Sequence, residues 1–317
     1  MSTQSNDQGR AFEFITLITL YDEIKKIRKA EIIENSSYHA AERAWNSIEK
    51  TTQESMLRAA IAAVDTIFDL EPLIVEPDND ILELMIQKDV QGENGDVRDI
   101  LIIRHGIQWE IGLSLKHNHF AVKHSRLAKN LDFGAKWFGI PCSRTYWNEI
   151  EPIFEYLENE KREGKAWRDL PDKEGDVYIP LLRAFMDEII RSNQHNSDVP
   201  RKMVEYLLGE FDFYKMIGID SKRTTQIMTF NLRGTLNQAS RRSNPKINVP
   251  VSHLPSRIVN MDFKPGSSNT VELYMDGGWQ FSFRIHNAAT KVETSLKFDV
   301  QIIGMPATIV SINCSWN

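Results

Sequence analysis

Cysteine and long apolar runs are scarce in this sequence. Its 317 residues contain only Cys142 and Cys314, which excludes a multi-cysteine zinc site and suits a reducing compartment. No apolar run approaches the roughly 20 residues that a membrane-spanning helix needs. The N-terminus, Met1–Gln8, is polar and lacks the pattern of a signal peptide. The sequence therefore predicts a cytoplasmic protein with no membrane partner.

Acidic residues are missing from two stretches of a chain whose net charge is −6. Residues 111–131 contain no Asp or Glu but contain Lys116, Lys123, Arg126 and Lys129. Residues 221–261 contain none either, and their basic residues are Lys222, Arg223, Arg233, Arg241, Arg242, Lys246 and Arg257. Two basic surfaces on an acidic protein suit a polyanionic partner. A second interpretation stays open, in which both are solvated faces whose counter-charges come from elsewhere in the fold.

The predicted secondary structure of the chain changes near Ser221. Before it, periodicity predicts helices mixed with a few strands, and after it short β-like runs alternate with turn residues. The predicted fold class is α/β (α+β), with a mixed half at 1–198 and a mostly β half at 199–317. Three local predictions are a helix over Ala121–Lys129, a buried strand over Trp137–Cys142 and a helix over Pro200–Met216.

Two β-rich runs on either side of His105-Gly106 predict a hairpin. With those two residues as the loop, Asp99 stands opposite Gly112. Side chains alternate along a strand, so one face gathers an acid, a small hydroxyl and an ammonium, while apolar residues fill the other. The members of this polar face are Asp99, Glu110, Gly112, Ser114 and Lys116.

Such a grouping suits metal-assisted hydrolysis of a phosphodiester. Carboxylates hold Mg²⁺, which polarises the phosphate and lowers the pKa of the attacking water. A lysine next to the ion can orient that water and stabilise charge in the transition state.

The same residues resemble a known family. The order α-β-β-β-α-β with Asp…(Asp/Glu)-x-Lys is that of the PD-(D/E)xK nucleases, a mixed-sheet core flanked by helices. Four segments are similar to the HaeIII-type type II restriction endonucleases: Asp96-Val-Arg-Asp-Ile100, Trp109-Glu-Ile-Gly-Leu-Ser-Leu-Lys-His-Asn-His119, Ala121-Val-Lys-His-Ser-Arg-Leu127 and Asp132-Phe-Gly134. The resemblance implies Mg²⁺-dependent cleavage of double-stranded DNA at a short palindrome, GGCC, with Asp99 and Lys116 as catalytic residues, a β-rich C-terminal recognition region and no organic cofactor.

The chain departs from the broader motif at Ser114, where an acid is usual. A neutral serine is a poorer Mg²⁺ ligand, so a second carboxylate beside Asp99 has to come from elsewhere. Nucleases of this superfamily often bring a glutamate from the first helix, which makes Glu13 the first candidate. Glu110 is the second, although it lies six residues from Lys116, roughly 20 Å along a straight strand. Asp96 is the third, although the predicted register places it on the opposite face.

Residues for binding DNA come from both acid-free stretches. His117 and Asn118 are expected beside the scissile phosphate. The contiguous His117-Asn118-His119 is not an HNH site, because HNH nucleases disperse those residues over a larger unit. The further candidates are Lys123, His124, Arg126, Arg233, Arg241, Arg242 and Lys246, and for each of them a solvated face is the alternative.

The alternatives differ in activity. Because of Ser114, a non-catalytic DNA-binding protein on a nuclease-like scaffold is the second hypothesis, and a metal-dependent RNA nuclease is the third. A palindromic target suits a homodimer, while a monomer that cuts each strand in turn is equally open. As a restriction enzyme, the protein is expected to act alongside a cognate DNA methyltransferase.

Overall fold

The computed structural model describes residues 2–88, 96–119 and 123–316, with the side chains of 7–88, 96–119 and 125–316. The chain divides into two compact units, each assembled from separate stretches of sequence. The first consists of residues 1–120, 209–252 and 307–317, and the second of residues 121–208 and 253–306. The boundary predicted between residues 198 and 199 falls inside the second unit.

A seven-stranded mixed sheet forms the centre of the first unit. From one edge to the other its strands are β1 (Ala30–Ile32), β2 (Leu82–Ile86), β3 (Ile100–Arg104), β4 (Trp109–His117), β6 (Phe213–Ile219), β7 (Thr224–Phe230) and β12 (Ser311–Ser315). The pairs β1–β2 and β4–β6 are parallel, and the other neighbours are antiparallel. Strands from both ends of the chain thus share one sheet.

Helices cover one face of this sheet. They are α1 (Ser2–Ile24), α2 (Ser36–Ser47), α3 (Lys50–Leu70) and the short α4 (Pro72–Val75). Leu113 and Leu115 of β4 belong to the same buried cluster as Phe12 of α1. Because side chains alternate along a strand, Ser114 and the residues two positions from it, Gly112 and Lys116, face away from the helix-covered core. This alternation is what leaves a polar face available for a site.

The second unit is built on a five-stranded antiparallel sheet. Its strands, in spatial order, are β5 (Lys123–Ala128), β11 (Ser295–Gly304), β10 (Gln280–His286), β9 (Thr270–Met275) and β8 (Ile258–Phe263). Its helices are α5 (Phe133–Phe138), α6 (Arg144–Arg162), α7 (Ile179–His195) and α8 (Val199–Leu208). An aromatic cluster fills its core, where Phe185 lies 4.9 Å from Phe298 and 5.0 Å from Phe133 between ring centroids.

The predicted fold class is confirmed, since helices pack with two sheets, one of them mixed. Of the helices described, none is both long and apolar enough to cross a membrane.

Two local predictions in the second unit are wrong. The segment predicted as a helix over Ala121–Lys129 contains strand β5, which pairs with β11, and Ser125 and Leu127 are buried while Arg126 is exposed. The segment predicted as a strand over Trp137–Cys142 begins in helix α5, whose N-terminus is capped by Asp132. The strand is decided by a partner far away in the sequence, β11, whereas the helix begins at a capping residue directly before it.

The helix predicted over Pro200–Met216 is wrong in its second half. Helix α8 ends at Leu208, and Gly209 follows with φ at 87°, a left-handed backbone that glycine adopts without strain. The chain then enters β6, which is buried along its whole length in the centre of the sheet. The sequence analysis therefore missed β6, an interior strand of the first unit that pairs with β4.

Glu71 anchors the long loop that carries much of the basic stretch. It is fully buried after α3, and its Oε1 accepts hydrogen bonds from the Tyr214 hydroxyl and the Asn237 backbone N–H, both at 2.6 Å. Burial raises the pKa of Glu71 to about 7, against the opposing effect of these hydrogen bonds. The folded protein therefore holds a proton there that the unfolded chain releases near pH 4.5.

This proton predicts a fall in stability as the pH rises. Between about pH 4.5 and 7 the folded state binds more protons than the unfolded state, so the free energy of unfolding decreases across that window. Glu71→Gln cannot titrate, and we expect it to lose about 2 kcal/mol less than wild type between pH 5 and pH 8. Urea denaturation at both pH values measures the difference. The exposed Glu155→Gln is the control and should follow wild type.

Candidate active site

The β3–β4 hairpin has a longer loop than the sequence predicted. His105–Ile107 forms a turn of 3-10 helix, and Gln108 closes it with φ at 52°. Pairing then runs from Arg104↔Trp109 to Ile100↔Leu113, and the Asp99 N–H donates to the Leu113 carbonyl at 2.7 Å. Asp99 therefore stands opposite Ser114, and the predicted pairing with Gly112 is wrong by two residues. A shift of two leaves every side chain on its predicted face.

Asp99 and Lys116 lie next to each other on the polar face. The Lys116 Nζ is 3.4 Å from Asp99 Oδ2, and the Leu115 backbone N–H donates to the same oxygen at 2.5 Å. Both side chains reach solvent, with 22% of Asp99 and 32% of Lys116 exposed. A backbone donor and an ammonium thus orient one carboxylate that remains accessible from outside.

A second lysine lies on this face, and the sequence analysis did not find it. In the parallel β4–β6 pair, Lys215 is the register partner of Ser114 and is only 2% exposed. Burial and, after it, the Lys116 ammonium lower the pKa of Lys215 to about 7, while Asp99 acts in the opposite direction. Asp99, Ser114 and Lys215 consequently form one row across three strands, with Lys116 beside it.

His117 and Asn118 are both bound to Asp220, which follows β6. His117 Nε2 is 2.9 Å from Asp220 Oδ1, and the Asn118 amide donates to Oδ2 at 2.8 Å. The Asp220 N–H donates back to Asn118 Oδ1 at 3.0 Å, and the Ser55 hydroxyl of α3 donates to Oδ1 at 2.5 Å. These bonds tie the end of β4 to the end of β6 and so restrain the residue before them, Lys116.

Glu110 lies at the opposite end of β4 from Lys116 and is held by an arginine. Arg98 Nη1 donates to Glu110 Oε1 at 2.9 Å, and the same guanidinium is bound to Asp96. Glu13 is half-buried on α1, next to Phe12, whose ring centroid is 5.6 Å from that of His117. The first of these two candidate ligands is thus part of an ion-pair network, and the second lies on a helix near the end of β4.

The side chains that could coordinate a metal ion are few at this site, which limits how the ion could be bound. In the part of the chain that the structure describes, no three His, Cys, Asp or Glu side chains are close enough together to form a metal-binding group. Mg²⁺ commonly keeps several waters and is held by one or two carboxylates together with substrate phosphates. Asp99, which is partly exposed and has Ser114 opposite it, fits that mode of binding, in which DNA would complete the coordination.

The predicted DNA-binding residues fall in both units. Arg126 lies on β5 in the second unit, where it donates to the Ser295 hydroxyl at 3.1 Å, and the side chains of Lys123 and His124 lie outside the described residues. In the first unit, four of them project from the exposed side of the loop between β7 and β8: Arg233, Arg241, Arg242 and Lys246.

That basic loop is held by hydrogen bonds to its backbone and by two ion pairs, Lys246–Asp69 at 2.7 Å and Arg241–Asp78 at 3.9 Å. Asn237 adopts φ at 62°, and its amide donates to the carbonyls of Leu70 and Ile247 at 2.8 and 2.9 Å. The Arg241 N–H donates to Glu76 Oε1 at 2.8 Å, while the Arg241 side chain is 76% exposed. The loop therefore presents cations to solvent from a defined backbone.

Comparison with known proteins now identifies the family. The family model of the HaeIII restriction endonuclease matches residues 9–306. The chain belongs to the HaeIII restriction endonuclease family. It is 52% identical over 317 residues to the type II restriction enzyme HaeIII of Haemophilus aegyptius. The aligned region covers 100% of this chain and 99% of the relative. No solved structure matches. Membership places the chain among type II restriction endonucleases, enzymes that cleave DNA at specific sequences.

For this restriction endonuclease, the buried Lys215 predicts a conflict between stability and activity. The unfolded lysine keeps its proton up to about pH 10.5, whereas the folded one releases it near 7. The unfolded state therefore binds more protons between these values, and wild-type stability rises with pH across that window. Lys215→Met removes the buried amine, so we expect it to be more stable than wild type at pH 7, by on the order of 2 kcal/mol, and to show no such rise.

The same substitution is expected to slow cleavage, because it removes a cation adjacent to Asp99 and Lys116. Denaturation without divalent metal and single-turnover cleavage measure the two effects separately. Lys264→Met, an exposed lysine in the turn between β8 and β9, should change neither. A Lys215→Met protein that is less stable than wild type and equally active would contradict the prediction.

Proposed function

We propose that this chain hydrolyses both strands of duplex DNA at GGCC in a Mg²⁺-dependent reaction. The observation that carries the proposal is the contact between Asp99 and Lys116 on neighbouring strands, 3.4 Å apart and open to solvent. An oriented carboxylate beside an ammonium is the minimum that metal-assisted cleavage of a phosphodiester requires of a protein.

Asp99 would hold the metal, with Glu13 as the first candidate for a second carboxylate. Mg²⁺ bound there supplies a Lewis acid for the phosphate and a water of lowered pKa. The Leu115 N–H keeps the Asp99 carboxylate in one orientation. Lys116 orients the attacking water and stabilises the negative charge that develops on the phosphate oxygens. The bonds of His117 and Asn118 to Asp220 keep the end of β4 in place during these steps.

A palindromic target is symmetric, so we propose that two copies of this chain act on one site, each supplying one catalytic centre. We further propose that a methyltransferase of the same specificity accompanies the enzyme in the cytoplasm, because an unprotected GGCC in the host chromosome would be cut.

The mechanism predicts a separation of binding from chemistry in Lys116→Ala. Cleavage should fall on the order of 100-fold or more, because the charge that stabilises the transition state is lost. Specific binding to a GGCC duplex, measured with Ca²⁺ in place of Mg²⁺, should remain. Lys264→Ala, an exposed lysine between β8 and β9, is the matched control. Wild-type turnover in Lys116→Ala would remove this lysine from the reaction.

The alternative of a non-catalytic DNA-binding protein is favoured by one observation, the neutral Ser114 in place of the usual acid. Incubation of pure protein with a plasmid at a range of Mg²⁺ concentrations distinguishes the two. Specific binding without cleavage at any concentration would favour the alternative, and digestion of RNA with intact DNA would favour an RNA nuclease.

We propose that the exposed arginines of the basic loop bind backbone phosphates. Replacing Arg241 and Arg242 together by alanine should then flatten the dependence of log K on log salt concentration, by roughly one unit for each lost phosphate contact. Binding titrations at several salt concentrations measure this slope. Arg43→Ala, an exposed arginine on α2, should leave it unchanged. An unaltered slope in the double variant would mean that the loop is not in contact with DNA.

A further inference from the structure

A buried arginine holds a partly exposed carboxylate at the start of β4. The Arg98 side chain is 4% exposed, and its guanidinium donates to both oxygens of Asp96, at 2.8 and 2.7 Å. From Nη1 it donates to Glu110 Oε1 at 2.9 Å, and 44% of the Glu110 side chain remains exposed. The position of Glu110 is thus set by a group that is itself fixed from the other side.

The sequence keeps space for this arginine at Gly112. A Cβ built on Gly112 would lie 2.1 Å from Arg98 Cδ and 2.5 Å from Cγ. The arginine therefore crosses β4 directly above the glycine, and any side chain there would displace it. A glycine in a central strand, a buried arginine and a buried aspartate together maintain one exposed glutamate.

A cavity of about 360 Å³ lies beside this network. Its lining includes Arg98, Glu110, Gln108, Phe211 and Gln238. Phe211 is 43% exposed, and the Arg98 guanidinium carbon lies 3.9 Å from its ring centroid. A fixed carboxylate, two amide side chains and a flat aromatic surface thus face one volume, which is the combination that recognises a planar polar group.

The negative charge of Glu110 limits which planar polar group of DNA could bind in this cavity. A carboxylate near DNA repels phosphates, so its favourable partner is a hydrogen-bond donor on a base. In the major groove, a glutamate pairs with the 4-amino group of cytosine, and guanine offers only acceptors there. Glu110 shares a face with Ser114 and is four residues from it, roughly 13 Å along the strand. That separation is comparable to the width of the major groove, about 12 Å.

We propose that Glu110 is a specificity residue whose carboxylate, positioned by Arg98, accepts a hydrogen bond from the 4-amino group of a cytosine in the target. This inference rests on the proposed function, because it takes the target to be GGCC. It gives Glu110 a role at the bases instead of at a metal ion.

A cycle of protein and DNA changes tests the contact. Wild type and Glu110→Gln are titrated, with Ca²⁺ and without any divalent ion, against a GGCC duplex and against duplexes in which one cytosine is replaced by 2-pyrimidinone, which lacks the 4-amino group. In Glu110→Gln, Arg98 would take the amide oxygen and leave the NH₂ group facing the cavity, so a donor would meet a donor.

For one of the two cytosines, loss of the amine should weaken wild-type binding roughly 10-fold to 100-fold and leave Glu110→Gln unaffected. Glu31→Gln, an exposed glutamate on the edge strand β1, is the control and should behave as wild type. Thermal melting checks that both variants are folded.

Two results would overturn the inference. The first is an equal loss of affinity in wild type and Glu110→Gln at both cytosines. The second is a shift in the Mg²⁺ concentration needed for cleavage that is the same for every duplex, since that would make Glu110 a metal ligand. If wild type fails to cut unmodified GGCC, the proposed target is wrong and this inference is wrong with it; if GGCC is cut without coupling, only the inference fails.

Discussion

The register of one hairpin is the constraint on which the polar face depends. Asp99 faces the same side as Lys116 because the β3–β4 pairing places it opposite Ser114, which is two residues from Lys116 on β4. A slip by one residue would turn the carboxylate into the apolar core beneath α1 and α3. Leucines alternate with polar residues along β4, so a slip by one residue would expose several apolar side chains at once and raise the free energy of the folded state.

The same face concentrates groups that are costly to bury. Lys215 is the buried member of the row that it forms with Asp99 and Ser114, and its environment disfavours the charged amine. Arg98 and Asp96 are also buried, although they are paired with each other. Structural stability alone does not require such groups, because apolar residues of similar size would pack there at lower cost. Their presence along one strand face agrees with an enzyme that retains polar chemistry at the expense of stability.

The candidate residues for catalysis, and several of those for DNA binding, come to one sheet from distant parts of the chain. β3 and β4 bring the catalytic candidates, β6 adds Lys215 and leads to Asp220, and the loop after β7 carries the exposed arginines. Glu71 links the end of α3 to this loop through Asn237. Of the acid-free stretch 221–261, residues 221–252 belong to the first unit and residues 253–261 to the second.

The sequence alone determined the local patterns: the β3–β4 hairpin and the shared face of Asp99, Ser114 and Lys116, because a period of two needs only neighbouring residues. Tertiary structure decided everything that depends on a distant partner. Residues 213–219 form a strand instead of the predicted helix because they pair with β4 and β7. Residues 123–128 form a strand because they pair with β11. Lys215 lies beside Ser114 only because β6 is the neighbour of β4 in the sheet. Pairing over such separations is set by the packing of the whole sheet, which no local window of sequence contains.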